Sequence, residues 1–120
     1  MAKVITDTKV SICRVEKTDV ISCVPVISQP GGWALLVDGA SKADSLQPTP
    51  IALGTGGELI DQSVEISATM KALVAPYDLR LEVQLSTAAG PLGQPVLLDH
   101  KASFRDSAAY SIVVMFMEKP

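Results

Sequence analysis

The sequence predicts an all-β fold, an antiparallel β-sandwich of the jelly-roll or Ig-like kind with about 7–9 short strands and little helix. Three observations predict it. Val, Ile, Leu and Thr are abundant along the chain. Eight Gly and eight Pro residues interrupt the apolar runs every 8–15 residues or so, roughly the spacing of short strands. Two long segments alternate apolar and polar residues with period two, which is typical of strands with one buried face.

Composition limits the class of protein. Hydrophobic residues make up 48 % of the 120 residues and charged residues 19 %, so the chain is not disordered. That length predicts a single domain, residues 1–120. No apolar run approaches the ~18–20 residues that span a bilayer, so we expect no membrane partner. The net charge of −3 provides no basic footprint for nucleic acid, which we also do not expect as a partner.

The first residues predict a location in the cell. A secretory signal needs an apolar core of about 7–15 residues, whereas the apolar pair Val4-Ile5 is followed at once by Thr6 and Asp7. We therefore expect a cytoplasmic protein.

Residues 9–15 and 20–27 are two predicted strands around a polar break. A three-residue loop at 17–19 makes them a hairpin and places Cys13 opposite Cys23. Opposed residues have Cβ atoms about 4.5–5.5 Å apart, near the range that a disulfide closes. The sequence leaves open whether the two cysteines are buried thiols or a cross-strand disulfide. Pro25 lacks an amide donor, so we expect it on an edge strand or at a bulge.

The middle of the chain contains shorter elements. Residues 29–32 are a strong turn signal, and a short apolar strand follows at 33–37. The polar stretch 38–50 is predicted to be a surface loop. Residues 51–53 and 58–60 flank a glycine-rich sequence, which predicts a small hairpin.

The clearest alternation lies between residues 63 and 85. From Ser63 to Val74 nearly every second residue is apolar, which predicts a strand, but the good helix formers at 70–73 leave a helix open. Residues 79–85 alternate most regularly and predict a strand with one wet face. Because a turn at 75–78 separates them, we expect the two strands to form a long hairpin.

The last two predicted strands are residues 96–104 and 110–117. The final strand is apolar on both faces, and both faces must therefore be covered. We expect it centrally in a sheet or at a subunit contact. Val113, Met115 and Met117 on one of its faces are the candidate interface residues.

Catalytic chemistry finds little support in the sequence. The only histidine is His100, and nothing brings Cys13 or Cys23 beside it to form an activated thiol nucleophile. Glu65 and Glu82 are the candidate carboxylate pair for glycoside hydrolysis, but we expect both to be solvated. We therefore predict no catalytic residues and no enzyme activity.

Metal and phosphate sites are equally unsupported. One His and two Cys do not give the clustered spacing of a zinc site, and Asp38, Asp44, Glu58 and Asp61 match no known calcium loop. The glycine-rich residues 54–57 lack the following Lys-Ser/Thr of a phosphate loop, and Glu58 repels phosphate. We expect no metal and no cofactor.

Trp33 is the one aromatic residue with two distinct interpretations. It follows a Gly-Gly turn at the start of a strand. An exposed Trp ring there can stack on the C–H face of a sugar, whereas a lone Trp otherwise packs in the core. Trp33 is therefore the candidate ligand-binding residue.

The apolar composition predicts self-association. A domain of this size buries roughly 65 % of its unfolded surface, and contiguous apolar surface that stays exposed marks protein contacts. We expect a homo-oligomer that acts as a non-catalytic structural or interaction module. The alternative is a β-sandwich that binds a small molecule or a glycan, and a small hydrolase is a third, weaker hypothesis.

Overall fold

A computed structural model describes residues 1–120 as two packed β-sheets. Strands account for 64 % of the residues and helix for 3 %, so the predicted all-β sandwich is confirmed. The elements are β1 (Val4–Val15), β2 (Val20–Ile27), β3 (Gly31–Val37), β4 (Ala40–Asp44), β5 (Ile51–Thr55), α1 (Gly56–Leu59), β6 (Ser63–Lys71), β7 (Asp78–Thr87), β8 (Gly90–Pro91), β9 (Val96–Lys101) and β10 (Ser107–Glu118).

The strands divide into two sheets of five. Sheet A has the order β1-β10-β6-β3-β4, and sheet B has the order β5-β2-β7-β8 with β9 also paired to β7. Every pairing is antiparallel except β1 with β10, which is parallel and runs over twelve residue pairs. The predicted antiparallel sandwich therefore has one parallel pair at the edge of sheet A and more strands than the sequence indicated.

Alternation along each strand builds the core between the sheets. In β6, Val64 and Ile66 are buried and point inward, and in β7 Leu79 and Leu81 do the same from the other sheet. The strand interpretation of both segments is confirmed. Buried Tyr110 on β10 ties the layers together, because its hydroxyl donates to the Leu79 carbonyl oxygen at 2.9 Å.

The predicted first hairpin is wrong. β1 pairs with β10 in sheet A, and β2 pairs with β5 and β7 in sheet B. In the turn between them, the Asp19 amide donates to the Glu16 carbonyl oxygen and the Glu16 amide donates to the Asp19 carboxylate. This turn carries the chain from one sheet to the other. Cys13 and Cys23 consequently lie in different sheets, and both are free thiols.

The predicted long hairpin of residues 63–85 is also wrong, although both of its strands exist. β6 lies in sheet A and β7 in sheet B. The connection at residues 73–78 crosses between sheets because the buried carboxamide of Gln29 holds it. The two hydrogens of its Nε2 are shared among the carbonyl oxygens of Val74, Pro76 and Asp78, at 2.8, 3.1 and 3.3 Å, and its Oε1 accepts from the amides of Leu73 and Val74 at 3.1 and 3.0 Å.

Two shorter predictions need correction. The predicted loop 38–50 contains β4, which pairs with β3 at the edge of sheet A. The predicted hairpin at 51–60 is instead β5 followed by the single turn α1. Thr55 caps this turn, since its Oγ1 accepts from the Glu58 amide while the Glu58 carboxylate accepts from the Thr55 amide at 3.1 Å. This reciprocal capping box starts a helix where a glycine-rich turn was expected.

The final strand lies where the sequence placed it. β10 is central in sheet A, between β1 and β6. Its inward residues Ile112 and Val114 are fully buried, but Met115 on its outward face is 48 % exposed. The single chain thus covers one face of β10 and leaves the other open.

Core packing in β7 gives a first prediction. Leu81 is fully buried, whereas the neighbouring Glu82 points outward and its side chain is 36 % exposed. Leu81→Ala should lower the free energy of unfolding by about 2–5 kcal/mol because it leaves a cavity. Glu82→Ala should change it by no more than about 0.5 kcal/mol. Urea unfolding followed by circular dichroism measures both, and equal losses would show that the outer face of sheet B is packed as tightly as the core.

Gln29 gives a second prediction. Gln29→Glu keeps the shape of the side chain but sets a carboxylate oxygen against three carbonyl oxygens. We expect the free energy of unfolding to fall by about 3 kcal/mol or more at neutral pH, because the buried carbonyl oxygens lose their hydrogen-bond donor. Gln62→Glu, which makes the same charge change at a residue with no side-chain hydrogen bond, is the control. Equal thermal stability of the two variants would contradict a role for Gln29 in holding the crossing.

Candidate functional site

The outer face of sheet A carries several exposed apolar side chains that no other part of the chain covers. The registers of β1, β10 and β6 bring every second residue of each strand onto it. At one end, Val10 lies beside Val113, and Ile12 beside Met115. Val10 and Ile12 are 62 and 60 % exposed, and Met117 is 43 % exposed. We call this group the apolar end; it consists of Val10, Ile12, Val113, Met115 and Met117.

The other end of the same face carries small side chains. Thr6 lies beside Ala109, and Thr8 lies beside Ser111. We call this group the small-residue end; it consists of Thr6, Thr8, Gly32, Ala34, Ser67, Thr69, Ala109 and Ser111.

Charges of both signs lie on this face, two toward its ends and one, Glu65, on its middle strand β6. Arg14 lies beside Met117 at the far limit of the apolar end, and Lys71 lies beside Ser107 beyond the small-residue end. Glu65 is half-buried between Val113 and Leu36. A face with mixed charge does not repel a second copy of itself.

The outer face of sheet B differs in this respect. Arg80 and Glu82 lie on the same face of β7, with Nη2 and Oε1 3.6 Å apart. Asp99 on β9 lies beside Arg80 in the strand register. Val20 and Val26 on β2 are the exposed apolar residues there, at 58 and 49 %. The charged groups on the neighbouring β7 keep the centre of this face wet.

A side cleft opens between the second half of β1 and the segment that joins β8 to β9. It has a volume of 480 Å³. Val83 and Leu85, buried on the inner face of β7, form its floor, and Leu92 lies beside them. Ser11 and Cys13 line it from β1. The exposed polar residues at its rim are Arg14, Gln94 and Lys119.

A side-chain hydrogen bond closes the same side of the sandwich at the other half of β1. Asp7 on β1 and His100 on β9 meet with Oδ2 and Nε2 2.8 Å apart. The hydrogen bond from His100, together with the amide of Thr8, holds the pKa of Asp7 below its ordinary value of 3.8. Lys9 also bridges the two strands, because its Nζ donates to the Leu97 carbonyl oxygen at 3.5 Å.

The structure does not assemble a cysteine–histidine pair. His100 contacts Asp7, six residues before Cys13 on the same strand, which is about 20 Å at the rise of a β-strand. Burial raises the pKa of Cys23 to about 12 and raises that of Cys13 above its ordinary value. Both thiols are therefore protonated at neutral pH, whereas a nucleophile must be a thiolate.

The acidic residues that the sequence singled out lie apart. Glu58 caps α1, and its pKa is held below the ordinary value by the Thr55 amide and hydroxyl. Glu65 and Glu82 lie on the outer faces of opposite sheets, so no single substrate bridges them. No group of three or more His, Cys, Asp or Glu side chains is arranged to hold a metal ion.

Trp33 lies in the hydrophobic core. Its side chain points inward from β3 and is 8 % exposed. The location agrees with the core interpretation, and the ring presents no open face on which a sugar could stack.

Comparison with known proteins gives no assignment. No protein-family model, curated protein or solved structure matches this chain. The only helix has four residues, and none in the chain is long and apolar enough to cross a membrane.

The candidate interface residues Val113, Met115 and Met117 do share one outward face, and that face is larger than the sequence indicated. Val10 and Ile12 of β1 complete it, and the sequence analysis missed them because it paired β1 with β2. The side cleft was missed as well, because it lies between β1 and the segment that joins β8 to β9, which are far apart in the sequence. No local pattern in the sequence marks either feature.

Acid should loosen the attachment of β1. Buried Asp106 accepts from the amides of Lys3 and Ser103 at 2.8 and 2.9 Å, and these bonds hold its pKa below 3.8. Asp7 is shifted in the same direction. A carboxyl with a lowered pKa in the folded state stabilises the fold above its unfolded pKa, and this contribution is lost as the pH falls below about 3.8.

We therefore expect the melting temperature to fall steeply below about pH 4. Asp106→Asn should be less stable at neutral pH, because the NH₂ group of the new side chain faces one of the two backbone N–H donors, those of Lys3 and Ser103. Its melting temperature should also depend less on pH, because the titrating carboxyl is gone. Asp61→Asn, at an exposed residue without a side-chain hydrogen bond, is the control. Parallel pH profiles for all three proteins in calorimetry would contradict this role of Asp106.

Proposed function

We propose that this chain is a non-catalytic, self-assembling interaction module whose contact is the outer face of sheet A stacked on that of a second copy. The observation that carries the proposal is the apolar end, where Val10, Ile12 and Met115 are each about half exposed or more. Contiguous apolar surface of this kind typically marks a protein contact.

The size of the face supports a second copy as the occupant. Four neighbouring strands about 4.8 Å apart, and up to about 40 Å long, give a face of roughly 600–700 Å². Specific interfaces bury about 800 Å² on each partner. The face is therefore close to what a stable dimer needs, without any contribution from loops.

Shape and charge support the same occupant. The small-residue end carries only short side chains, which allow a second sheet to approach to the ~10 Å spacing of stacked sheets. The face carries Arg14 and Lys71 as well as Glu65, so two identical faces do not meet with one sign of charge. A two-fold stack of this kind buries the same patch on both subunits and closes on itself.

A matched pair of charge substitutions tests the proposal. Met115 and Val26 are 48 and 49 % exposed, and they lie on the outer faces of sheets A and B. Met115→Lys should convert the oligomer to a folded monomer of 12.6 kDa because it buries a charge in the contact. Val26→Lys should leave the mass of the assembly unchanged. Light scattering measures the mass, and circular dichroism checks the fold.

Substitutions at two successive residues of β10 distinguish an effect on assembly from an effect on folding. Val113 points outward beside Val10, and Val114 is fully buried in the core. Val113→Lys should stay folded and lose the oligomer, whereas Val114→Lys should unfold the domain. If the wild-type chain is a monomer at all concentrations, or if Val26→Lys alone dissociates it, the outer face of sheet A is not the contact.

A further inference from the structure

We propose that the side cleft binds a small amphipathic anion, a carboxylate on a saturated chain of about ten carbons. The cleft volume of 480 Å³ falls within the range of pockets that hold small molecules, about 300–1,000 Å³. It corresponds to about sixteen water-sized groups, which admits such a chain.

The floor of the cleft suits the apolar part of this ligand. Val83 and Leu85 belong to the buried inner face of sheet B, and Leu92 extends the same surface toward the opening. Leu85 and Val83 are 4 and 0 % exposed, and the Leu92 amide donates to the Leu85 carbonyl oxygen at 2.8 Å, so the half-buried Leu92 and Val96 form the accessible apolar wall of the cleft. An alkyl chain in the cleft lies against these two side chains, and each methylene that it buries is worth about fourfold in affinity.

The rim suits the anionic part. Arg14 and Lys119 take no part in the ion pairs Lys17–Glu118 and Arg80–Glu82 or in the His100–Asp7 contact. The acidic group whose charge acts on Cys13 is Asp19, and its carboxylate accepts a hydrogen bond from the Glu16 amide. Inside the cleft, the half-buried hydroxyl of Ser11 has no hydrogen-bond partner in the protein and is free to donate to a carboxylate.

This inference does not depend on the proposed self-association. Ser11 and Cys13 line the cleft from the inward side of β1, and the cleft shares Ile12 and Arg14 with the outer face of sheet A. Protection of Cys13 reports on ligand binding in the cleft, and the mass of the assembly reports on the other proposal separately.

Cys13 provides a local readout. It is half-buried in the cleft, whereas Cys23 is fully buried in the core, so a thiol reagent modifies Cys13 first in the native protein. The rate of modification by Ellman's reagent is measured while decanoate, decanol or decyltrimethylammonium is added below its micelle concentration. We expect decanoate to slow the reaction to a plateau, with decanol needing about tenfold more ligand and the cation giving no protection.

A charge-matched pair of variants and a shorter chain complete the test. Lys119→Glu should weaken protection by decanoate about tenfold, and Lys101→Glu, at an exposed lysine on the far end of β9, should not. Octanoate, two methylenes shorter, should bind about fifteenfold more weakly. Absence of protection, or faster modification, overturns the proposal. Equal protection by decanoate and decanol, or no effect of Lys119→Glu, overturns the anionic specificity.

Discussion

The carboxamide of Gln29 is the constraint on which the two-sheet arrangement depends. It sits where the chain passes from β2 in sheet B to β3 in sheet A, and it bonds to the segment that returns from β6 to β7. A neutral carboxamide supplies two donors and an acceptor, and the returning segment has both carbonyls and amides without strand partners. Without these bonds the segment would carry unpaired backbone groups into a buried site, which costs free energy at each of them. The core on either side can form only if the two crossings stay adjacent.

Sequence reasoning could predict the strands and their buried faces but not their partners. The alternation of β6 and β7 was sufficient to identify both strands and the inward position of Leu81, because period two is a local property of a strand. It contains no information on whether the following turn folds back within one sheet or crosses to the other. The parallel pairing of β1 with β10 joins the two ends of the chain, and no pattern in β1 distinguishes this partner from the adjacent β2. Gln29 looked like part of a turn, since its five hydrogen bonds depend on a segment more than forty residues away.

The same limit applies to the candidate site. Val113 and Met117 could be predicted because a strand that is apolar on both faces needs a cover on both, which is a local argument. Val10 and Ile12 join them only through the register of the parallel pair. The side cleft lies between β1 and the segment that joins β8 to β9, which are far apart in the sequence, so it does not follow from any motif. Trp33 shows the opposite case, in which a residue with a distinctive sequence position serves the core.

The way β1 is attached bears on what kind of assembly is possible. β1 is a twelve-residue edge strand, and long edge strands tend to add further strands without limit. Asp7 and Lys9 point inward from this edge, where they bond to β9 through His100 and the Leu97 carbonyl oxygen. Inward charges of this kind are a known protection against edge-to-edge pairing. With the edge protected and the apolar side chains concentrated on the outer face, association through a stacked pair of faces is favoured over sheet extension. A stacked pair is closed, so the proposed module would form a defined dimer and not an open filament.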